Sequence, residues 1–349
     1  MYIYAGNLHI HSSYSDGSGS IEEVAAAAAD AGLSFIAVTD HRVLTGLREE
    51  AFINGVAVLV GVELNRDSNH YLAFGLSKVP VIDEDDPQQL IDWVRNAGAL
   101  GFLAHPFEKG SPYIEKGRCY PWQVWPVFNF NGLEIWNYSS HWRGRHPSLF
   151  RTLYYFFLNR KAAMDGPPPE LLRLWDCYNA AGYKVTAIGS TDAHAFPYQL
   201  GPFKMELFPY AYLFKTINTY ICLGERLSTN FAEAKKQIYG ALGSGSCYIS
   251  FDSLFPGKGF SFYGEVKGRQ VAMGQTLVSP GRCFLRIEAP TERALLRLLH
   301  NGRVIESSKG SSLAISVTEP GVYRAEAFFK PRLGKARPWI YSNPIFIES

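Results

Sequence analysis

The chain has 349 residues, 47% of them apolar and 14% aromatic, and 34 basic against 32 acidic side chains leave a net charge of +2. That composition supports a sizeable globular core, and its even charge without a basic cluster excludes an electrostatic footprint for nucleic acid, leaving small molecules as the expected partners. Five widely spaced cysteines (Cys119, Cys177, Cys222, Cys247, Cys283) lack any Cys-Xaa-Xaa-Cys pair, which excludes a disulfide framework or zinc knuckle and reads as core thiols in a reducing compartment.

The opening segment Met1 to Asn7 has neither a basic nor an apolar leader region, which predicts a cytoplasmic product. It runs into Leu8-His9-Ile10-His11, then Ser15-Asp16-Gly17. In extended chain, residues two apart share a face, so His9 and His11 can reach one metal ion. A helix follows, with Ser20 as cap, Glu23 completing a capping box and Gly32 closing it.

Apolar runs then alternate with helical patterns through about two-thirds of the chain, the signature of βα units and a mainly parallel sheet. Ser34 to Val38 leads into Thr39-Asp40-His41, and Val56 to Val60 into Gly61-Val62-Glu63. Gly101 to Leu103 leads into Ala104-His105-Pro106, Gly132-Leu133 into Glu134, and Lys184 to Gly189 into Ser190-Thr191-Asp192-Ala193-His194. Each of these strands ends in a metal-capable side chain, and carboxyl ends of parallel barrel strands converge on one face. Asp40 is expected to support the structure and His70 to stand behind the ligands or in the core.

Between residues 138 and 169 an insertion carries His141, Arg143, Arg145 and His146, then the aromatic stretch Leu149 to Asn159. It reads equally as a lid or as a surface excursion. The apolar stretch Phe203 to Leu223 is broken by Lys204, Glu206, Pro209 and Lys215, so no membrane span is expected. From about Gly243 short alternating runs punctuated by Asn301-Gly302 and Pro320-Gly321 predict a small antiparallel β-sandwich. The expected division is 1–242 and 243–349.

This ordered series of motifs resembles the PHP (polymerase and histidinol phosphatase) superfamily over roughly the first 240 residues. The closing run Arg337-Pro338-Trp339-Ile340-Tyr341-Ser342-Asn343-Pro344-Ile345 resembles a subgroup joining such a domain to a β-domain, carbaryl-hydrolase-like members included. The resemblance implies a distorted (β/α)7 barrel holding two or three divalent ions, of manganese, iron or zinc. It places His9, His11, Glu63 and Asp192 around the first ion and has Glu63 bridge to a second with His105 and Glu134. Asp16, His41 and His194 would hold the third. Carboxylates at Asp16 and Glu134 stand where histidine or cysteine is common in that superfamily, favouring harder ions.

The chemistry expected is phosphoester hydrolysis by a metal-activated hydroxide, with Asp192, His194 or His41 handling protons. Arg42, His141, Arg143 and Arg145 are candidates for binding the substrate. The same centre would serve an ester, carbamate or amide hydrolase, with the aromatics Trp142 to Phe157 lining an apolar pocket. A non-catalytic module is the third reading; such modules usually lose ligands, and here every position is filled.

Overall fold

The computed structural model describes residues 1–81, 86–113, 115–146, 148–200, 203–266, 268–278 and 281–348. Its centre is a strongly curved sheet. The opening strand Tyr2–Asn7 runs parallel to Phe35–Val38, which runs parallel to Val56–Leu64. On the far side Leu100–Leu103, Gly132–Asn137 and Thr186–Ser190 are again parallel neighbours. All nine residues of Val56–Leu64 are buried, as expected for a strand covered on both faces.

Two strands break the predicted parallel order. Tyr71–Phe74 runs against both its neighbours, Val56–Leu64 and Leu100–Leu103, and Ile217–Leu223 runs against the opening strand. The first reversal has a simple cause: the connection 65–70 is too short for the crossover a parallel pair requires, which takes about a dozen residues.

Thr186–Ser190 and the residues after it are tied to Ile217–Leu223 and the opening strand through side chains. Thr219 Oγ1 accepts from Gly189 N at 3.0 Å and lies 2.7 Å from Gly189 O, to which it donates. Asn7 Oδ1 accepts from Ser190 Oγ and Thr191 Oγ1, while its amide donates to Ile217 O and Asn218 Oδ1. Just beyond, His11 N donates to Ala193 O and Ala193 N to His9 O, a parallel bridge between Ile10 and Ala193. A second such bridge pairs His41 with Glu63. These bridges carry the chain past its strand ends and set the candidate ligands side by side.

The first helix, Ile21–Asp30, has its capping box formed by Ser20 and Glu23 and buries Ile21, Val24, Ala25 and Ala28, a stripe at helical spacing. Gly17, in the loop before it, passes so close to the His11 carbonyl that a Cβ there would lie 2.1 Å from the oxygen. Only glycine lets this loop fold back over His11.

Beyond the helix Phe231–Ser244, the strand Cys247–Phe251 pairs with Ile217–Leu223 on one side and Arg337–Ser342 on the other, so the large sheet continues into the C-terminal region. There it adds Gly321–Phe329, Ala294–His300 and Ile345–Glu348. A separate antiparallel sheet of Ser261–Val266, Arg269–Ala272, Cys283–Glu288 and Ser312–Val317 shares a core with it, built from Phe262, Leu285, Ile287, Leu296, Leu298, Tyr323 and Trp339. Cys283–Glu288 alternates buried and exposed along its length, the mark of a strand with one covered face.

All five cysteines are free. Cys177, expected in the core, is exposed, because the helix Pro169–Ala180 buries Leu171, Trp175 and Tyr178 and turns residue 177 off that stripe. No helix among the described residues is long and apolar enough to cross a membrane.

Candidate metal centre

Glu63 is the hub. Its Oε2 lies 3.1 Å from His9 Nε2, 3.1 Å from His11 Nε2 and 3.3 Å from His41 Nδ1, and its Oε1 lies 2.7 Å from His70 Nδ1 and 3.2 Å from His105 Nε2. Five imidazoles thus surround one buried carboxylate. Asp192 Oδ1 closes the opposite side, 3.5 Å from His9 Nε2, 3.3 Å from His11 Nε2 and 3.5 Å from His194 Nδ1. Asp16 stands at the mouth, 3.3 Å from His194 Nε2, 3.5 Å from His11 Nδ1 and 3.7 Å from His41 Nε2.

The donors fall into three groups with ligand atoms within 4.8 Å of one another: His9, His11, Glu63 and Asp192; His11, Asp16, His41 and His194; Glu63, His70 and His105. Whether they fit cations is decided by hydrogen bonding. His9 Nε2, both ring nitrogens of His11 and Nδ1 of His105 are buried and make no hydrogen bond, although carboxylate oxygens lie close by. Buried polar atoms are nearly always paired. His70 Nδ1 and His105 Nε2 hydrogen-bond Glu63 Oε1, whereas His9 Nε2 and His11 Nε2 converge on Glu63 Oε2 and Asp192 Oδ1 without bonding them. Those groups are arranged for something held between them, and the mixed imidazole and carboxylate set suits a divalent ion.

The titration behaviour agrees. Burial works against charging His9, His11 and His105, yet the carboxylates Glu63 and Asp192 lift His9 well above its ordinary range and bring His11 and His105 up to about 9. Burial likewise opposes ionising Glu63 and Asp192, and the imidazoles around them nevertheless hold both well below the usual carboxylate range. His41 differs: partial burial, with His11 and His70 nearby, takes it down to about 4 despite Glu63. A site that draws protons to some nitrogens and repels them from others is one where positive charge is at a premium.

Two ligand-bearing residues sit in strained backbone. Asp192 has φ of 53° and His105 φ of 27°, left-handed values that non-glycine residues seldom adopt. Such strain gathers at functional sites where surrounding structure enforces it.

Glu134 differs from its expected place. It belongs to none of the three groups; its Oε2 accepts from His105 N at 3.0 Å and Asn137 Nδ2 at 2.9 Å, and both its oxygens lie within 3.3 Å of His9 Nδ1. It orients His9 from behind. The cause is local: the pairing of Gly132–Asn137 with Thr186–Ser190 shifts register between Glu134 and Trp136, and such an irregularity re-aims a side chain. His70 is the converse, a residue expected behind the ligands that lies on Glu63 itself. Its strand is the antiparallel one, so the beginning of that strand, rather than its end, reaches the cluster.

Asp40 accepts from Ser12 N, Ser12 Oγ and Ser15 Oγ and so pins the loop after His11. Glu108, which sequence reasoning passed over, lies 3.3 Å from His105 Nδ1 and accepts from Arg143 Nη1 at 2.8 Å. It follows His105 by three residues in a turn, a spacing that could have marked it.

The cluster opens into a cavity of about 470 Å³ lined also by Arg42, Arg66, Arg118, Arg143, Tyr120 and Phe196. Tyr120 stacks on His70 and Phe196 on His194, with centroids 5.0 and 4.7 Å apart. His141 and Arg145 instead line a neighbouring cavity of about 370 Å³, where both pair with Asp165. The insertion's aromatics line neither cavity: Trp142 is buried against Phe156 and Phe208, and Phe150 and Phe157 face solvent.

Residues 7–114 match the PHP domain. Among solved structures, the chain is similar to a two-domain protein from Bacteroides vulgatus containing a predicted PHP-like metal-dependent phosphoesterase, at 17% identity and a TM-score of 0.44, covering 97% of this chain and 94% of that one. A protein from Bifidobacterium adolescentis, assigned by name as a metal-dependent phosphoesterase, shares 16% identity over 56% of this chain and 91% of its own, with a TM-score of 0.35. An amidohydrolase from Chromobacterium violaceum, with bound sulfate and no metal, shares 16% over 59% and 92%, with a TM-score of 0.31. None of the curated proteins matches at a significant level. His9, His11, Asp16, His41, Glu63, His70 and His105 all lie within the segment that matches the PHP domain.

Proposed function

We propose that this protein is a metal-dependent phosphoesterase acting on a small phosphate mono- or diester, with residues 1–242 as the catalytic unit and 243–349 as a covering β-unit. The observation that carries the reading is the convergence of five imidazoles on Glu63, with His9 Nε2 and His11 Nε2 left unbonded beside its Oε2. His9, His11, Glu63 and Asp192 would hold one ion, Glu63, His70 and His105 a second, and Asp16, His41 and His194 a third. Bound divalent ions supply a hydroxide nucleophile near neutral pH and offset charge on phosphoryl oxygens.

The chain's own residues do the rest. Arg42 and Arg143 line the cavity beside the cluster and bind the anionic part of the substrate. Glu108 accepts from Arg143 and lies 3.3 Å from His105 Nδ1, so the residue that orients substrate and one that would hold an ion stand beside one carboxylate. Asp192, at the edge of the cavity, and His194, whose Nδ1 lies 3.5 Å from Asp192 Oδ1, are the groups that would hand a proton toward the leaving group. The arginine lining favours phosphate over a neutral aryl ester or carbamate, since no aromatic of the insertion reaches either cavity.

The test is metal content by mass spectrometry together with hydrolysis of a phosphate monoester, a phosphodiester and an aryl ester. Bound divalent metal and preference for a phosphate ester are expected. Metal-free protein, or an aryl ester cleaved fastest, overturns the reading.

A further inference from the structure

We propose that the apolar tip Leu149–Leu158 docks this protein onto an anionic lipid surface. The tip is one short stretch, an α-turn over Leu149–Leu153 continuing as a π-turn over Tyr154–Leu158. Its inward side packs: Thr152 is buried, and Tyr155 and Phe156 lie partly buried against the core. Its outward side is equally apolar. Leu149, Phe150, Leu153, Tyr154, Phe157 and Leu158 recur in pairs every four residues, and all six are exposed, Phe150 by 85%, Leu158 by 79% and Phe157 by 76%.

A helix apolar all round belongs inside something. Here one face has the protein, and the other has none of the described residues against it. Side chains this exposed stand proud of the surface rather than lining a groove, the shape that enters a soft interface. A π-turn inside a helical stretch also occurs preferentially at functional places.

Charge selects the partner. From residue 135 to residue 164 there is no aspartate or glutamate, while Arg143, Arg145, Arg151, Arg160 and Lys161 give this stretch five positive charges in a chain whose net charge is +2. Arg143 and Arg145 are paired with Glu108 and Asp165, whereas Arg151, Arg160 and Lys161 meet no carboxylate among the described residues. The tip is also held in place at its base, where Lys161 Nζ donates to Ser253 O and Arg337 Nη2 to Met164 O. Exposed Phe and Leu flanked by Arg and Lys without acids is the pattern of an element that lies in a lipid interface.

A second copy is disfavoured by the same charges, since a twofold contact would set this cationic patch against itself. An acidic protein is disfavoured because five of the six outward side chains carry no hydrogen-bonding group, and protein interfaces use roughly one hydrogen bond per 100–200 Å². An element lying on the surface needs no membrane-spanning helix, so the lack of one among the described residues does not bear on this contact.

Sedimentation of the full chain with phosphatidylcholine vesicles, with and without phosphatidylserine, tests this. Binding to the anionic vesicles at low salt, weakened by added salt, is expected. Phe150→Ser with Phe157→Ser and Leu158→Ser should weaken it at least tenfold, and Arg151→Gln with Lys161→Gln by about 30-fold. Both variants should keep the wild-type circular dichroism and vesicle-free hydrolysis rate. Equal binding to neutral vesicles, no binding to anionic ones, or an unchanged triple serine variant overturns the proposal. So does concentration-dependent dimerisation that the serine variant abolishes, or capture by soluble polyglutamate as strong as by vesicles.

Discussion

Two buried polar assemblies lie in this molecule, and they are built in opposite ways. Where the helix Pro169–Ala180 meets the C-terminal sheet, Arg324 is buried with every arm engaged: Nε and Nη2 donate to Asp176 at 2.6 and 2.9 Å, and Nη1 to Glu326 at 2.7 Å. Burial opposes its charge, and the two carboxylates more than restore it. Around Glu63 the same ingredients, buried groups of opposite sign, leave four ring nitrogens without a bond. A polar core that saturates itself is structural; one that stays unsaturated is waiting for a ligand.

The contrast breaks first at Glu63. Glu63→Gln removes the charge shared by two of the three ligand groups and should lower kcat by about a thousandfold, with metal content reduced and circular dichroism retained. A variant that keeps both metal and rate ends the assignment of the hub. Arg324→Leu is the mirror image: denaturant unfolding should show a loss of about 3 kcal/mol, because Asp176 and Glu326 lose their partner, while hydrolysis stays at the wild-type rate. Replacing Asp176 and Glu326 by leucine as well should return most of that stability.

Glu134→Gln probes the layer behind the ligands. Metal affinity, read by chelator competition, should fall by about 10- to 100-fold, and an unaffected affinity would mean that His9 needs no brace. Protons give a subtler comparison. In chelated protein, His11 and His105 have pKa values raised to about 9 from an ordinary 6.5, so their stabilisation is complete below that ordinary value and is lost as pH rises through about 9. Thermal melts of chelated protein should therefore fall across that window. Metal-loaded protein, in which the ion replaces those protons, should not show the fall. The smallest effect is a control remote from both assemblies: Ser20→Ala removes the cap of Ile21–Asp30 and should cost about 1 kcal/mol in stability with no change in metal content.

Much of the site was legible because its ligands follow strand runs whose direction is set by apolar patterning. His9 and His11 flank a buried Ile10, and His41, Glu63, His105, Asp192 and His194 follow apolar runs, so the spacing of two and the strand ends were enough to collect them. Glu134 misled because a shift in pairing, invisible in composition, turned its side chain behind His9. His70 was undervalued because the rule used, ligands at carboxyl ends, holds only for parallel strands, and Tyr71–Phe74 is reversed. The six parallel strands were readable from their apolar runs; the direction of Tyr71–Phe74 was set by the length of the connection before it, which patterning does not report. The outward apolar face of Leu149–Leu158 was visible as aromatic richness, but only the fold shows which half of it is left uncovered.

The reversed strand has one more consequence. Four of the cluster's donors, His9, His11, Asp192 and His194, are locked together by the bridge between Ile10 and Ala193, so none can leave without disturbing that join. His70 is attached differently, at the tip of a short hairpin whose ladder would survive its removal. The number of imidazoles on Glu63 is therefore adjustable in one place, by editing the 65–70 connection, while the join between Ile10 and Ala193 stays as it is.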